Sequence, residues 1–139
     1  MKIAFDIDDT LIIPLVALYK KYMYDVPNYN VIAIYRWFQE NGASMIVWSG
    51  GGIDYARMWA DKLGLFPDEI RVKEKSDDID MVFDDCDVDL GKVNIKVKRL
   101  NNQVSRKYWN EHKDVFPRNK PIEKQFKLPD TELNKEGGK

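Results

Sequence analysis

The chain reads as an α/β protein: a three-layer, Rossmann-like parallel sheet of about five strands flanked by helices, with no substantial cap domain. Three observations predict this. Short apolar stretches alternate with helical patterns, which implies βαβ units and a parallel sheet. Two of those stretches end in paired acids and a third ends in Ser49-Gly50-Gly51-Gly52, as strands do when their carboxyl ends form a ligand-binding rim. A length of 139 residues gives one domain with a real core but little room for a second.

Residues 2–7 form the first predicted strand, with Ile3, Phe5 and Ile7 alternating and the small Ala4 on the other face. Residues 11–27 are apolar but broken by Pro14 and Pro27, which suggests a short helix or a flap over the strand ends. Asn30 is placed to cap a helix over 31–40, whose Val31, Ile34, Tyr35 and Phe38 share one face, and Asn41-Gly42 stops it. Residues 43–48 read as a second buried strand. A helix over 53–63 follows, with Ala56, Trp59, Ala60 and Leu63 inward and Gly64 ending it. Strands are expected at 70–72, at 79–83 running into Asp84-Asp85, and at 93–97. These elements define a body over 1–100, with the flap at about 11–27. Residues 101–139 form a basic C-terminal extension. Val104, Tyr108 and Trp109 suggest a short helix, and the end beyond Phe116 reads as extended or disordered.

Composition narrows the function classes. No apolar run is long enough to span a bilayer, and the N-terminus has no basic-then-apolar leader, so neither a membrane partner nor a signal peptide is expected. The single Cys86 fits a reducing, cytoplasmic setting, and Cys86 with the single His112 makes zinc a poor candidate. Residues 1–100 carry 13 basic and 17 acidic side chains, against 9 and 6 in residues 101–139. A basic extension on an acidic body either steers a polyanion or is simply a solvated tail. Tyr22, Tyr24, Tyr29, Trp37, Trp48 and Trp59 read as core or rim residues rather than base-stacking platforms.

Apolar strands that end in acids bring carboxylates together, and such a cluster is repulsive unless a cation or shared protons relieve it. Oxygen-only ligands suit magnesium, which also takes oxygens from a substrate phosphate. Asp6 and Asp8 are two residues apart and point the same way where the strand continues. One carboxylate can attack phosphorus, while the other protonates the leaving oxygen and then activates water. Thr10 can fix the loop by hydrogen bonding. Ser49 and the amides of Gly50 and Gly51 can bind phosphate oxygens at a helix N-terminus. Asp9 reads as a turn or cap residue, and Cys86 as a small packed one.

The segment Asp6-Ile7-Asp8-Asp9-Thr10-Leu11 resembles the first motif, D-x-D-x-T, of the haloacid dehalogenase superfamily. Ile46-Val47-Trp48-Ser49-Gly50 resembles its second motif, and Met81-Val82-Phe83-Asp84-Asp85 its fourth, in the family's order and spacing over residues 2 to 97. The resemblance implies that Asp6 is nucleophile and metal ligand. It implies that Asp8 is general acid/base, with its carbonyl on the metal, and that Ser49 binds the transferring phosphoryl group. Asp84 and Asp85 would hold magnesium, one directly and the other through water or the lysine. The catalytic set is then Asp6, Asp8, Ser49 and a third-motif lysine, with Thr10, Gly50 and Lys73 among the substrate-binding groups. Lys73 and Lys75 both qualify as that lysine, and Lys75 is preferred as the nearer to Asp84, with Lys62 a remote third choice. An acid at Asp8 favours phosphoryl transfer over dehalogenation. Neither the stretch from Thr10 to Ser49 nor that from Ser49 to Lys75 leaves room for a substantial cap. The expected protein is therefore a capless phosphomonoesterase with an open site that admits bulky substrates, a nucleotide or nucleic-acid phosphate among them. Two rivals are a non-catalytic scaffold on the same fold and a response-regulator domain. The second fits less well, because here the acid pair closes the first strand.

Overall fold

The computed structural model describes residues 1–17, 22–100 and 110–111. The expectations for Tyr22 as a ring, for a helix with Val104, Tyr108 and Trp109, for His112 and for the end beyond Phe116 lie outside what it describes. Five parallel strands form one sheet in the order β5-β4-β1-β6-β7, with β1 at Lys2–Phe5, β4 at Ser44–Ser49, β5 at Glu69–Val72, β6 at Met81–Asp84 and β7 at Val93–Lys96. A second, two-stranded antiparallel sheet joins β2 (Ile12–Ala17) to β3 (Tyr22–Pro27). The apolar stretch between the prolines is thus a ribbon. Pro14 and Pro27 are tolerated because a two-stranded ribbon consists of edges only.

Both helices lie on the same face of the large sheet. Val31 and Tyr35 of α1 (Tyr29–Glu40), and Ala56 and Ala60 of α2 (Ile53–Leu63), pack on Ile3, Phe5, Met45 and Val47. The alternating residues Ala4, Ile46, Trp48 and Val82 face the other way and meet Ile79, Val88 and Leu90 from the β5–β6 and β6–β7 connections. Among the described residues the third layer is therefore irregular chain rather than helix. The hydrogen bond that caps α1 comes from Asn28, not Asn30: its Oδ1 accepts from the Val31 N–H, and its own N–H donates to the Leu11 carbonyl. Gly64 ends α2 in the left-handed conformation, φ 64°. No helix among the described residues is long and apolar enough to cross a membrane.

This topology dictates where polar groups gather. The chain leaves β1 toward β4 over one face and returns past β1 to β6 over the other, so the winding direction reverses at β1. Crevices form at such a reversal, outside the carboxyl ends of the strands. The register aligns Phe5 with Val47 on one side and Phe83 on the other. Asp6 therefore emerges beside Asp84, with Ser49 two residues past Val47. The Phe5 and Phe83 rings stack at 4.5 Å and the Tyr35 ring meets Phe5 edge-on at 5.1 Å, a contact pair worth about 0.5–1.5 kcal/mol each beyond area burial. They fix the strand ends that carry both carboxylates.

Candidate active site

Asp6 follows directly on β1, and its N–H donates to the Phe83 carbonyl at 3.0 Å, extending the ladder by one residue. The loop after it then closes tightly: the N–H groups of Thr10, Leu11 and Ile12 all donate to the Ile7 carbonyl. Asp9 takes a left-handed backbone, φ 64°, which Asp adopts more readily than most side chains, and it is buried. Thr10 is fully buried, and its hydroxyl donates to Asp6 Oδ2 at 3.4 Å. Expected among substrate-binding groups, Thr10 is instead sealed from solvent and steadies the Asp6 carboxylate. Asp8 stays partly exposed, with its Oδ1 accepting from the Tyr55 hydroxyl at 2.7 Å.

The turn from β4 into α2 supplies the opposite wall. Ser49 is buried, and its Oγ accepts from the Gly51 N–H at 2.9 Å. Gly52 caps α2 at φ 104°, a conformation suited to glycine. A Cβ on Gly51 would meet the Tyr55 ring at 3.2 Å and Ser49 Oγ at 3.4 Å, so this turn and Tyr55 fit as one unit.

Lys73, one residue past β5, bridges two of the acids. Its Nζ lies 3.1 Å from Asp6 Oδ1 and 2.5 Å from Asp84 Oδ2, and its side chain is only 20% exposed. Here the sequence-based preference is corrected. Lys75 is 63% exposed and pairs with Asp89 at 2.9 Å. The cause is local: Val72 is level with Ser49, so Lys73 leaves the sheet at the rim, whereas Lys75 has turned over the Trp48 face. Lys62 lies over the Trp59 ring, away from the acids.

The site's electrostatics follow from burial. Desolvation, reinforced by Asp84 and only partly opposed by Lys73, pushes the Asp6 carboxyl up to about 8. Burial works to lower the Lys73 ammonium, but Asp6 and Asp84 together outweigh it and hold it above its ordinary range. Asp84 is fully buried, and its Oδ2 has no hydrogen bond of acceptable geometry although Lys73 Nζ stands against it. Asp85 accepts from Arg99 Nη2 at 2.6 Å, and the Arg99 Nε lies 3.6 Å from Asp9. Arg99 and Tyr55 were not among the residues picked from the sequence. Arg99 lies just past the last apolar strand, and Tyr55 falls on the helix face beside the glycine turn; position after a strand end was the available signal for the former.

Asp6, Asp8, Asp9, Ser49, Gly50, Gly51, Lys73, Asp85, Cys86 and Arg99 line one open cavity of about 440 Å³. Of the predicted residues, Asp84 lies beneath it against Lys73, Thr10 lies behind Asp6, and Lys75 is elsewhere.

The donor set fits a hard dication. Asp6 and Asp84 share Lys73, Asp9 and Asp85 share Arg99, and Asp8 lines the same cavity. Ligand atoms of Asp84, Asp85 and Cys86 lie within 4.8 Å of one another. Burial and the flanking Asp85 and Asp84 push the Cys86 thiol up, which disfavours the thiolate that a soft metal would take. That leaves oxygens, with a buried Asp84 Oδ2 short of a hydrogen bond, a set that magnesium prefers to softer metals. No family model, curated protein or solved structure matches this chain.

Proposed function

We propose that this chain is a magnesium-dependent phosphohydrolase of the haloacid dehalogenase type, capless, acting on phosphate monoesters through an aspartyl-phosphate on Asp6. The observation that carries the reading is the Lys73 bridge between Asp6 and Asp84, which draws together the ends of β1, β6 and β5 opposite the Ser49-Gly50-Gly51 turn. A lysine between two buried carboxylates at a rim that also offers amides has a ready use in phosphoryl transfer, where charge must be balanced in a desolvated place.

Asp6, Asp84, Asp85 and the Asp8 carbonyl would hold the magnesium ion, which would supply positive charge to the phosphoryl oxygens and lower the Asp6 carboxyl toward its ionised form. The chain's own residues do the rest. The Asp6 oxygen nearest the cavity attacks phosphorus; the Asp6 O–P bond forms as the ester P–O bond breaks. Asp8, held by Tyr55, gives its proton to the leaving oxygen. In the second half Asp8 takes a proton from water, the water oxygen bonds to phosphorus, and the Asp6 O–P bond breaks, releasing inorganic phosphate. Ser49 and the glycine amides orient the transferring group, and Lys73 offsets charge beneath it. Thr10 keeps Asp6 in place. The openness of the cavity suits a bulky phosphorylated substrate such as a nucleotide or nucleic-acid phosphate. The single cysteine, which stays a thiol, suits a reducing cytoplasm.

The test is turnover of an aryl phosphate by the purified full-length chain with magnesium. We expect activity that a chelator removes and added magnesium restores, and a loss of about a thousandfold or more in Asp6→Asn. No turnover in the wild type, or equal turnover in Asp6→Asn, would leave a non-catalytic binding protein as the better reading.

A further inference from the structure

A second depression adjoins the candidate site. Its volume is about 490 Å³, and it is lined by Asp85, Cys86, Asp87, Lys96, Val97, Lys98 and Arg99. Asp85, Cys86 and Arg99 also line the first cavity, so the two adjoin along these residues, and together they make a trough from Asp6 to the residues at the end of edge strand β7. The character of the trough changes along its length. At the Asp6 end carboxylates dominate. At the β7 end three cations stand on four consecutive residues, Lys96 to Arg99, against Asp85 and Asp87.

The ion pairs decide what is left over. Arg99 is held by Asp85 at 2.6 Å, and Lys96 pairs with Asp87 at 3.2 Å. Lys98 is exposed and has no carboxylate partner among the described residues. The far end of the trough therefore carries a surplus positive charge, and that surplus grows if Asp85 turns to a cation in the site. A positive end beside a phosphate-binding end suits a substrate with two separated phosphates.

We propose that this β7 end of the trough, with Lys98 as the free cation and Arg99 and Lys96 beside it, binds a second phosphate of the substrate while the first sits at Asp6. The substrate class is thus a bisphosphorylated molecule or a nucleic-acid end, not a simple monophosphate. This rests on the phosphohydrolase reading only for the statement that the first phosphate reacts. The plainer account is that lysines on an exposed edge strand discourage pairing with other chains. That account assigns Lys98 no role that Lys92, at the other end of the same strand, lacks.

The experiment uses the full-length chain carrying Asp6→Asn, so that binding is read whether or not the wild type turns over. Calorimetry compares a nucleoside 3′,5′-bisphosphate with the matching 5′-monophosphate in the presence of magnesium. The bisphosphate is expected to bind about tenfold more tightly, with the advantage shrinking as salt rises. Lys98→Glu removes the advantage and Lys98→Gln most of it, whereas Lys92→Glu keeps it. Equal affinity for the two ligands, or equal effects of Lys98→Glu and Lys92→Glu, overturns the proposal. A 5′-phosphorylated dinucleotide and a hexose bisphosphate serve as further titrants. Preference for either over its monophosphate counterpart supports the second site and names its source. Failure of wild-type turnover with the bisphosphate preference intact counts against the phosphohydrolase reading alone.

Discussion

Two charge clusters in this molecule use the same residue types and behave in opposite ways. On the surface, Arg71 pairs with Glu69 at 2.8 Å and with Asp78 at 2.6 Å, while Lys2 reaches both acids. The hydrogen bonds from Arg71, Ser76 and Lys2 hold the Asp78 carboxyl well below the usual range. At the rim, Asp6 also has a lysine partner, but burial and Asp84 push its carboxyl up to about 8. The difference is solvent. Where the carboxylate is exposed, pairing wins; where it is buried, as at Asp6, desolvation and the like charge of Asp84 outweigh Lys73. A fold does not gain stability from the second arrangement, which is why it points to a candidate site.

The largest effect should come from removing the buried cation. Lys73→Met leaves the buried Asp84 without its cation, and a broken buried pair typically destabilises by ~3–5 kcal/mol. Lys75→Met breaks only an exposed pair and should change stability by no more than about 0.5 kcal/mol. Chemical denaturation at pH 7 without divalent cations measures both. Equal effects would put the two lysines in one class and erase the contrast between the clusters.

Next in size is a stabilisation. Asp6 has a folded value of about 8 against an ordinary 3.8. Its contribution is therefore fully present below pH 3.8 and is lost as pH rises through about 8. Asp6→Asn removes that loss. The metal-free variant should be more stable than wild type by ~1–3 kcal/mol at pH 8, with the gap closing toward pH 4. Added magnesium should narrow the gap at pH 8 by stabilising the wild type. A gap that stays constant with pH would mean that Asp6 is not held short of charge.

These contrasts were partly legible in the residues. Apolar strands ending in Asp6, Ser49 and Asp84 are local patterns, and parallel pairing turns such patterns into one rim without further information. The span of α2 was readable too, because Gly52 and Gly64 bracket it. Lys73 against Lys75 was not, since both lie beyond β5 and their directions depend on how the connection bends across Trp48. Asn28 outcompeted Asn30 as the cap because a tertiary hydrogen bond to the Leu11 carbonyl positions it. The ribbon over β2 and β3 was hidden by its prolines, which argue against a central strand but permit an edge. Arg99 was invisible because its partners Asp85 and Asp9 come from two other strand ends.

Asp8 stands between the two regimes, half-buried, with its Oδ1 accepting from the Tyr55 hydroxyl. Tyr55→Phe deletes that bond while keeping the ring that Gly51 packs on. A general acid matters most when the leaving group is basic. The variant should therefore lose about five- to tenfold in kcat on an alkyl phosphate, the scale of one hydrogen bond to a carboxylate, and little on an activated aryl phosphate. A uniform loss on both substrates would assign Tyr55 to packing alone.

The smallest effect tests the surface side of the comparison, and its sign is opposite to that of Asp6. The folded Asp78 carboxyl is depressed, so its contribution is present above the ordinary 3.8 and is lost as pH falls through and below that value. Asp78→Asn should lower the melting temperature slightly at pH 7 and in low salt, and not at all once the pH is well under 3.8. High salt should shrink the difference at pH 7, because the partners Lys2 and Arg71 reach it through solvent. The same salt should do less to the Asp6→Asn gap, because the Asp6 carboxyl is buried. If salt erased both differences alike, burial would not be what separates the two clusters, and the rim would be an ordinary patch of surface charge.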